Sequence, residues 1–175
     1  MRRGFVALLV AGAFARAAAA QDVSVDYDKT FDFSKIKTFA IKMATPAANP
    51  LAEKRVLAEV EQALTAKGWT KTDEAKADAM TLLHGATQTK HSLSTFYSGG
   101  YGWRWGGMGT AQTSVQDYTV GTLVVDIFDA KSKQLLFRGT AQDELSDKPE
   151  KNKKKLAKAS DKMFKDFPPG SKDKK

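Results

Sequence analysis

Residues Tyr118 to Glu144 read YTVGTLVVDIFDAKSKQLLFRGTAQDE. Two apolar, β-branched runs flank the polar pentad Asp129-Ala130-Lys131-Ser132-Lys133, the pattern of a β-hairpin. A turn centred on Lys131 sets Ile127 opposite Leu135, Val125 opposite Phe137 and Leu123 opposite Gly139, all on one face. The other face carries Val124, Asp126, Phe128, Leu136 and Arg138, with Asp126 diagonal to Arg138 and within its reach. A strand apolar on one face and half apolar on the other belongs inside a sheet, not at its edge.

Upstream, Val23 to Tyr27 alternates apolar and polar and reads as a first strand. Phe31 and Phe33 lie in the turn-rich crossing to a second strand, Ile36 to Ile41, and serve as its anchors. A linker with Pro46 and Pro50 follows. Asn49-Pro50 starts a helix, because Asn caps free N–H groups and proline at the first helical position gives up no hydrogen bond. Val56, Leu57, Val60, Ala63 and Leu64 recur at helical spacing up to Gly68, which supplies a left-handed stop, so the helix spans Leu51 to Lys67. Ala79 to His84 is a third strand running on towards Lys90. Downstream of the hairpin, Pro149 opens a second helix in which Leu156, Ser160, Met163, Phe164 and Phe167 share a face, ended by Pro168-Pro169. The order predicts an α+β fold: a two-layer sandwich with a mixed, mostly antiparallel sheet of about five strands and two helices on one face.

The ends are of another character. Arg2 and Arg3 precede an apolar run, Gly4 to Phe14, too short to span a bilayer, and Ala18-Ala19-Ala20 is a signal-peptidase pattern. Residues 1–20 are expected to leave as a signal peptide cut between Ala20 and Gln21, giving a soluble periplasmic chain with no transmembrane helix. Residues 21–169 form one domain, and Gly170 to Lys175 a disordered basic tail. There is no cysteine, which excludes disulfide scaffolds, thiol redox chemistry, cysteine–zinc sites and a lipid-acceptor cysteine.

The formal net charge of +8 is unevenly spread. Lys148 to Lys175 hold eleven lysines and four acids, whereas Gln21 to Asp147 is slightly acidic. Basicity therefore belongs to the C-terminal segment, and no nucleic-acid partner is expected. The run Lys151 to Lys155 reads first as the solvated face of a helix, and more sharply as a contact for anionic lipid head groups.

No residue set specifies a reaction. His84 and His91, seven apart on one strand, face opposite ways, so a shared metal is not expected, nor is a cofactor. Asp126 reads as a charge answered by Arg138 and Asp129 as a turn residue bonding local backbone, while Asp28 and Asp32 fit turns and strand ends equally well. The segment Phe96 to Gly109, FYSGGYGWRWGGMG, is different: it holds six glycines and five aromatics. Such glycine content excludes a regular helix or central strand. The plain reading is a long hairpin connection. The functional one is a contact surface in which Tyr97, Tyr101, Trp103 and Trp105 offer flat faces and Arg104 adds a cation.

These residues resemble a bacterial family, the domain of unknown function 4136, known from cell-envelope proteins and lipoproteins. The resemblance rests on Val25-Asp26-Tyr27-Asp28, Asp32-Phe33-Ser34, Lys37-Thr38-Phe39-Ala40, Asn49-Pro50-Leu51, and Ala63-Leu64 with Lys67-Gly68-Trp69. It continues through Ala77-Asp78, Gly121 to Asp129, Arg138-Gly139-Thr140-Ala141 and Phe164 to Pro168. Phe137 stands where the family pattern has tryptophan, keeping an aromatic there. The resemblance implies a fold and an envelope address and supplies no activity. The function expected is therefore a non-enzymatic binding module of the cell envelope. The alternatives are a lipid-interface protein using the basic helix and the Gly/aromatic segment, and a hydrolase with an unrecognised site.

Overall fold

The structure, a computed structural model, describes residues 21–45, 49–98 and 110–169, without the side chains of 93–98 and 110–113. Six strands form one mixed sheet: β1 (Asp22–Tyr27), β2 (Thr38–Thr45), β3 (Thr70–Lys71), β4 (Ala79–Ser98), β5 (Thr110–Asp129) and β6 (Leu135–Glu144). Their spatial order is β1-β6-β5-β4-β2-β3. Helices α1 (Pro50–Ala66) and α2 (Pro149–Met163) pack on each other and on one face. The α+β class and the single covered face are as expected. The sixth strand is β3, two residues that pair in parallel with Thr38 and Phe39.

Local chemistry sets the helix ends. The Asn49 side chain accepts from the backbone N–H groups of Leu51 and Ala52 at 2.9 and 3.2 Å. Gly68 takes φ +90°, a conformation costly for any residue with a Cβ. The Trp69 N–H then returns to the Leu64 carbonyl, and its ring packs on Phe39 and Phe167.

The central hairpin differs from expectation in register. Val125 lies opposite Gly139, Ile127 opposite Phe137 and Leu123 opposite Ala141, two residues from the predicted pairing. The turn is one residue longer, closed by Asp129 N–H to the Gln134 carbonyl, with Lys133 at φ 62°. A bulge beside Ile127 and Phe128 adds another residue, Leu136. A slip of two preserves faces, so Leu123, Val125, Ile127 and Phe137 are still buried together. The bulge exchanges the two leucines: Leu136 is in the core and Leu135 is exposed, contrary to expectation.

Aromatic rings fill the space between sheet and helices. Phe137 stacks on Phe164 at 5.8 Å and meets the edge of Phe167 at 5.2 Å. The expected anchor Phe33 is buried against Phe31 and Phe167. Gly139 lets α2 approach the sheet, because a Cβ there would overlap the Met163 thioether. Two hydroxyls in this layer, those of Thr81 and Ser160, are buried without a hydrogen-bond partner.

Candidate functional site

The structure sets two surfaces apart from the core. One is an arm. Strand β2 accompanies β4 only as far as His84, and β6 accompanies β5 only from Val120 onward. Strands β4 and β5 nevertheless stay in unbroken antiparallel register to Ser98 and Thr110. From Thr89 and Thr119 outward they form a two-stranded ribbon, about 30 Å long at strand rise. Strand β4 thus runs past the expected end near Lys90, and Phe96 to Ser98 are strand, not connection. Tyr97 lies there, in register with Ala111. Tyr101, Trp103, Arg104 and Trp105 fall in residues 99–109, outside the described residues. Near the base of the arm, His91 Nδ1 lies 2.6 Å from Asp117 Oδ1 in an exposed pair.

The second surface is the face opposite the helices. One row across five strands reads Lys42, Leu82, Asp126, Arg138, Asp26. Arg138 donates from Nε and Nη2 to the two Asp126 carboxylate oxygens, each at 2.6 Å. Asp126 is 2 % exposed and its bonds to Arg138 raise the guanidinium above its ordinary value, so the pair is a fork-to-carboxylate clamp. His84 Nε2 lies 3.8 Å from Asp126 Oδ2, while its Nδ1 is 3.1 Å from Thr45 Oγ1. Met80, Leu82, Val124 and Phe128, partly buried, surround the clamp on this face. Asp126 is the sheet charge the sequence suggests, directly opposite Arg138 instead of diagonal to it. His84 and His91 lie on opposite faces of β4, with separate carboxylates as neighbours.

Asp129 bonds the turn backbone as expected, and of the two settings open to Asp28 and Asp32 the structure shows the turn. Asp129 accepts from the N–H groups of Lys131 and Ser132, Asp28 from Thr30 and Asp32 from Ser34. The Ser132 N–H is the main cause holding the Asp129 carboxyl below its usual value, and the Thr30 hydroxyl does the same for Asp28. Asp78 is a clamp that sequence reasoning missed. Its Oδ2 accepts from Thr38 Oγ1, Thr38 N and Lys37 N at 2.8, 2.9 and 3.0 Å, which lowers its pKa. The run Ala77-Asp78 marked the residue. Nothing local announced Thr38, forty residues away across a helix.

On α2, Lys155 turns to Asp143 at 2.9 Å while Lys151, Lys153, Lys154 and Lys158 stay exposed. Gln21, the expected first residue after cleavage, donates from Nε2 to the Lys155 carbonyl at 2.8 Å; Ala20 lies outside the described residues. No helix among the described residues is long and apolar enough to cross a membrane.

The architecture defines a class: an open six-stranded α+β sheet, helices on one face, with an extended β-ribbon between its two middle strands. Residues 23–169 match the family model described as "Domain of unknown function (DUF4136)", and the chain belongs to that family. No curated protein matches it. Among solved structures, a PDZ domain protein from Parabacteroides distasonis is similar, with TM-score 0.54 and 17% identity over 85% of this chain. The match spans 36% of that longer protein, so the likeness is one of fold. PelC from Paraburkholderia phytofirmans, solved as a dodecamer, matches at TM-score 0.47 and 13% identity, over 80% of this chain and 94% of its own. A putative neuraminyllactose-binding hemagglutinin homolog from Helicobacter pylori gives 0.43 and 13%, over 79% and 89%.

Proposed function

We propose that the protein is an exported, periplasmic component of the cell envelope that acts by binding a partner protein or envelope surface, without catalysing a reaction. The arm is the observation that carries this reading. Ten or so residues in each of β4 and β5 extend beyond every other described strand, and none of those with described side chains belongs to the helix-covered core. Their register leads directly into the Gly/aromatic segment. Tyr97, Tyr101, Trp103, Arg104 and Trp105 are the proposed contact residues, since flat aromatic faces and a guanidinium suit sugars, proteins or lipid interfaces. Export is supported by the signal-peptide pattern of residues 1–20.

The test is a variant with Tyr101, Trp103 and Trp105 all changed to serine, compared with the parent by cross-linking in intact cells. Its melting temperature should stay within a few degrees, while the cross-linked partner disappears. A variant that unfolds, or one that keeps the same cross-links, overturns the reading. Co-sedimentation with anionic vesicles, abolished by salt and insensitive to the serine changes, would instead favour the exposed lysines of α2 as the contact.

A further inference from the structure

The arm has two edges, and they are chemically unlike. Beyond His84, the outer edge of β4 has no paired strand among the described residues, and its sequence there includes Lys90 and His91. Below Thr119, the outer edge of β5 is equally unpaired. Its residues 110–119, TAQTSVQDYT, contain no proline and no lysine, and one charge, Asp117, already paired with His91. Lysine and proline are the usual guards of an open strand edge, so β4 is guarded and β5 is not.

The direction of the free groups on β5 follows from one hydrogen bond. Thr119 accepts from the Leu145 N–H at 2.7 Å, so its backbone points to the β6 side. Backbone groups alternate sides along a strand, and the β4–β5 register is unbroken, so Thr113, Val115 and Asp117 present their N–H and C=O groups outward as well. Val115, the central one of these, is 61% exposed.

We propose that the β5 edge of the arm is a self-pairing surface, taken by the same edge of a second copy of this chain in antiparallel register with Val115 on the two-fold axis. A two-fold contact requires each residue to meet its own symmetry partner's surroundings, and an antiparallel edge does this without further design. Val115 then faces Val115 of the second copy as a hydrogen-bonded pair, and Thr113 faces Asp117. Leu93 is the registered neighbour of Val115 on β4, so the row across the four strands reads Leu, Val, Val, Leu. The β4 edge is less suited to self-pairing, since a two-fold axis at Lys90 or at His91 would set that residue against its own copy. This inference is independent of the binding role of residues 99–109.

Sedimentation of the purified full chain over a dilution series tests it, with three variants. The parent should form a dimer that dissociates on dilution. Val115→Lys places two ammonium groups opposite each other and should remain monomeric, with the melting curve of the parent at dilutions where the parent is dissociated. Val115→Cys introduces the chain's only thiol. Opposed residues of a hydrogen-bonded pair have Cα atoms about 5.5 Å apart, within disulfide range, so mild oxidation should give a covalent dimer. Ser92→Cys, on β4, should not cross-link. A parent that is monomeric at every concentration, a dimer that survives Val115→Lys, or cross-linking through Ser92→Cys each overturns the proposal. Should Val115→Lys lower the melting temperature, the presence or absence of the Val115→Cys cross-link decides.

Discussion

Strand β5 lives in two environments. From Val120 to Ile127 it lies between β4 and β6, with Leu123, Val125 and Ile127 packed under the helices. From Thr110 to Thr119 it has β4 as its one neighbour among the described residues, and the side chains of Ser114 to Asp117 are exposed. The same strand, with the same hydrogen-bond pattern to β4, is core at one end and protrusion at the other. Hydrogen bonds alone therefore do not distinguish the two. Burial does, since apolar area removed from water supplies most of the stabilisation and paired backbone groups add a modest net amount.

The sharpest way to break this comparison is in the covered half. Phe137→Ala removes a ring 1% exposed between Phe164 and Phe167 and should cost about 3–5 kcal/mol in a urea titration. A loss under about 1 kcal/mol would mean the aromatic layer is not what separates body from arm. Next comes the clamp on the open face. Arg138→Ala strands the buried Asp126 carboxylate, and about 2–4 kcal/mol should be lost, somewhat below the range for fully buried pairs because Arg138 is itself half exposed. A loss no larger than that of an ordinary surface change would place the open face with the arm.

Asp78→Ala should cost less, about 1–2 kcal/mol at neutral pH, after allowing for solvent screening. Its folded-state pKa lies below the unfolded value, so its contribution is complete above the ordinary carboxylate range and is lost as pH falls through the folded pKa. The stability gap between parent and variant should therefore close in acid. A gap that widens as pH falls reverses the assignment. The smallest effect belongs to the arm. Ser92→Ala with Gln116→Ala, registered partners with exposed side chains, should shift stability by less than about 0.5 kcal/mol.

What was legible in the sequence tracks the same division. The hairpin faces, the helix stripe from Val56 to Leu64 and the α2 stripe through Met163 and Phe164 were readable, because a buried face imposes a period of two or of 3.6 on apolar residues. The arm was not readable as strand beyond Lys90. Its serines, threonines and glutamines occupy both faces, so no apolar alternation exists to be seen; only β-branched content, as in Thr87, Thr89, Thr113 and Val115, marked it. The Asp126–Arg138 partnership was legible, but its register was not, since a left-handed Lys133 and the bulge at Leu136 are settled by local backbone geometry. Asp78 and Thr38 needed the parallel crossover to meet. Of the proposed contact residues, Tyr97 alone lies within the described chain, and its place on a strand was unexpected.

The sheet order has a consequence for how the chain reaches this state. The first strand pairs with the last, setting Val25 against Gly139, while β5 and β4 lie between β6 and β2. Strand β1 precedes its hydrogen-bonding neighbour β6 by more than a hundred residues, so it has no strand partner until that segment exists. Helix α2, which closes the aromatic layer through Met163 and Phe164, arrives later still. The hairpin of β5 and β6 can form locally in microseconds, but docking β1 requires closing a loop that spans most of the molecule. Such non-local pairing is the topology of slow folders. Strand β1 therefore waits on β6 for its partner, and the aromatic layer waits on α2 for its cover, so the sheet edge and the core close last and together.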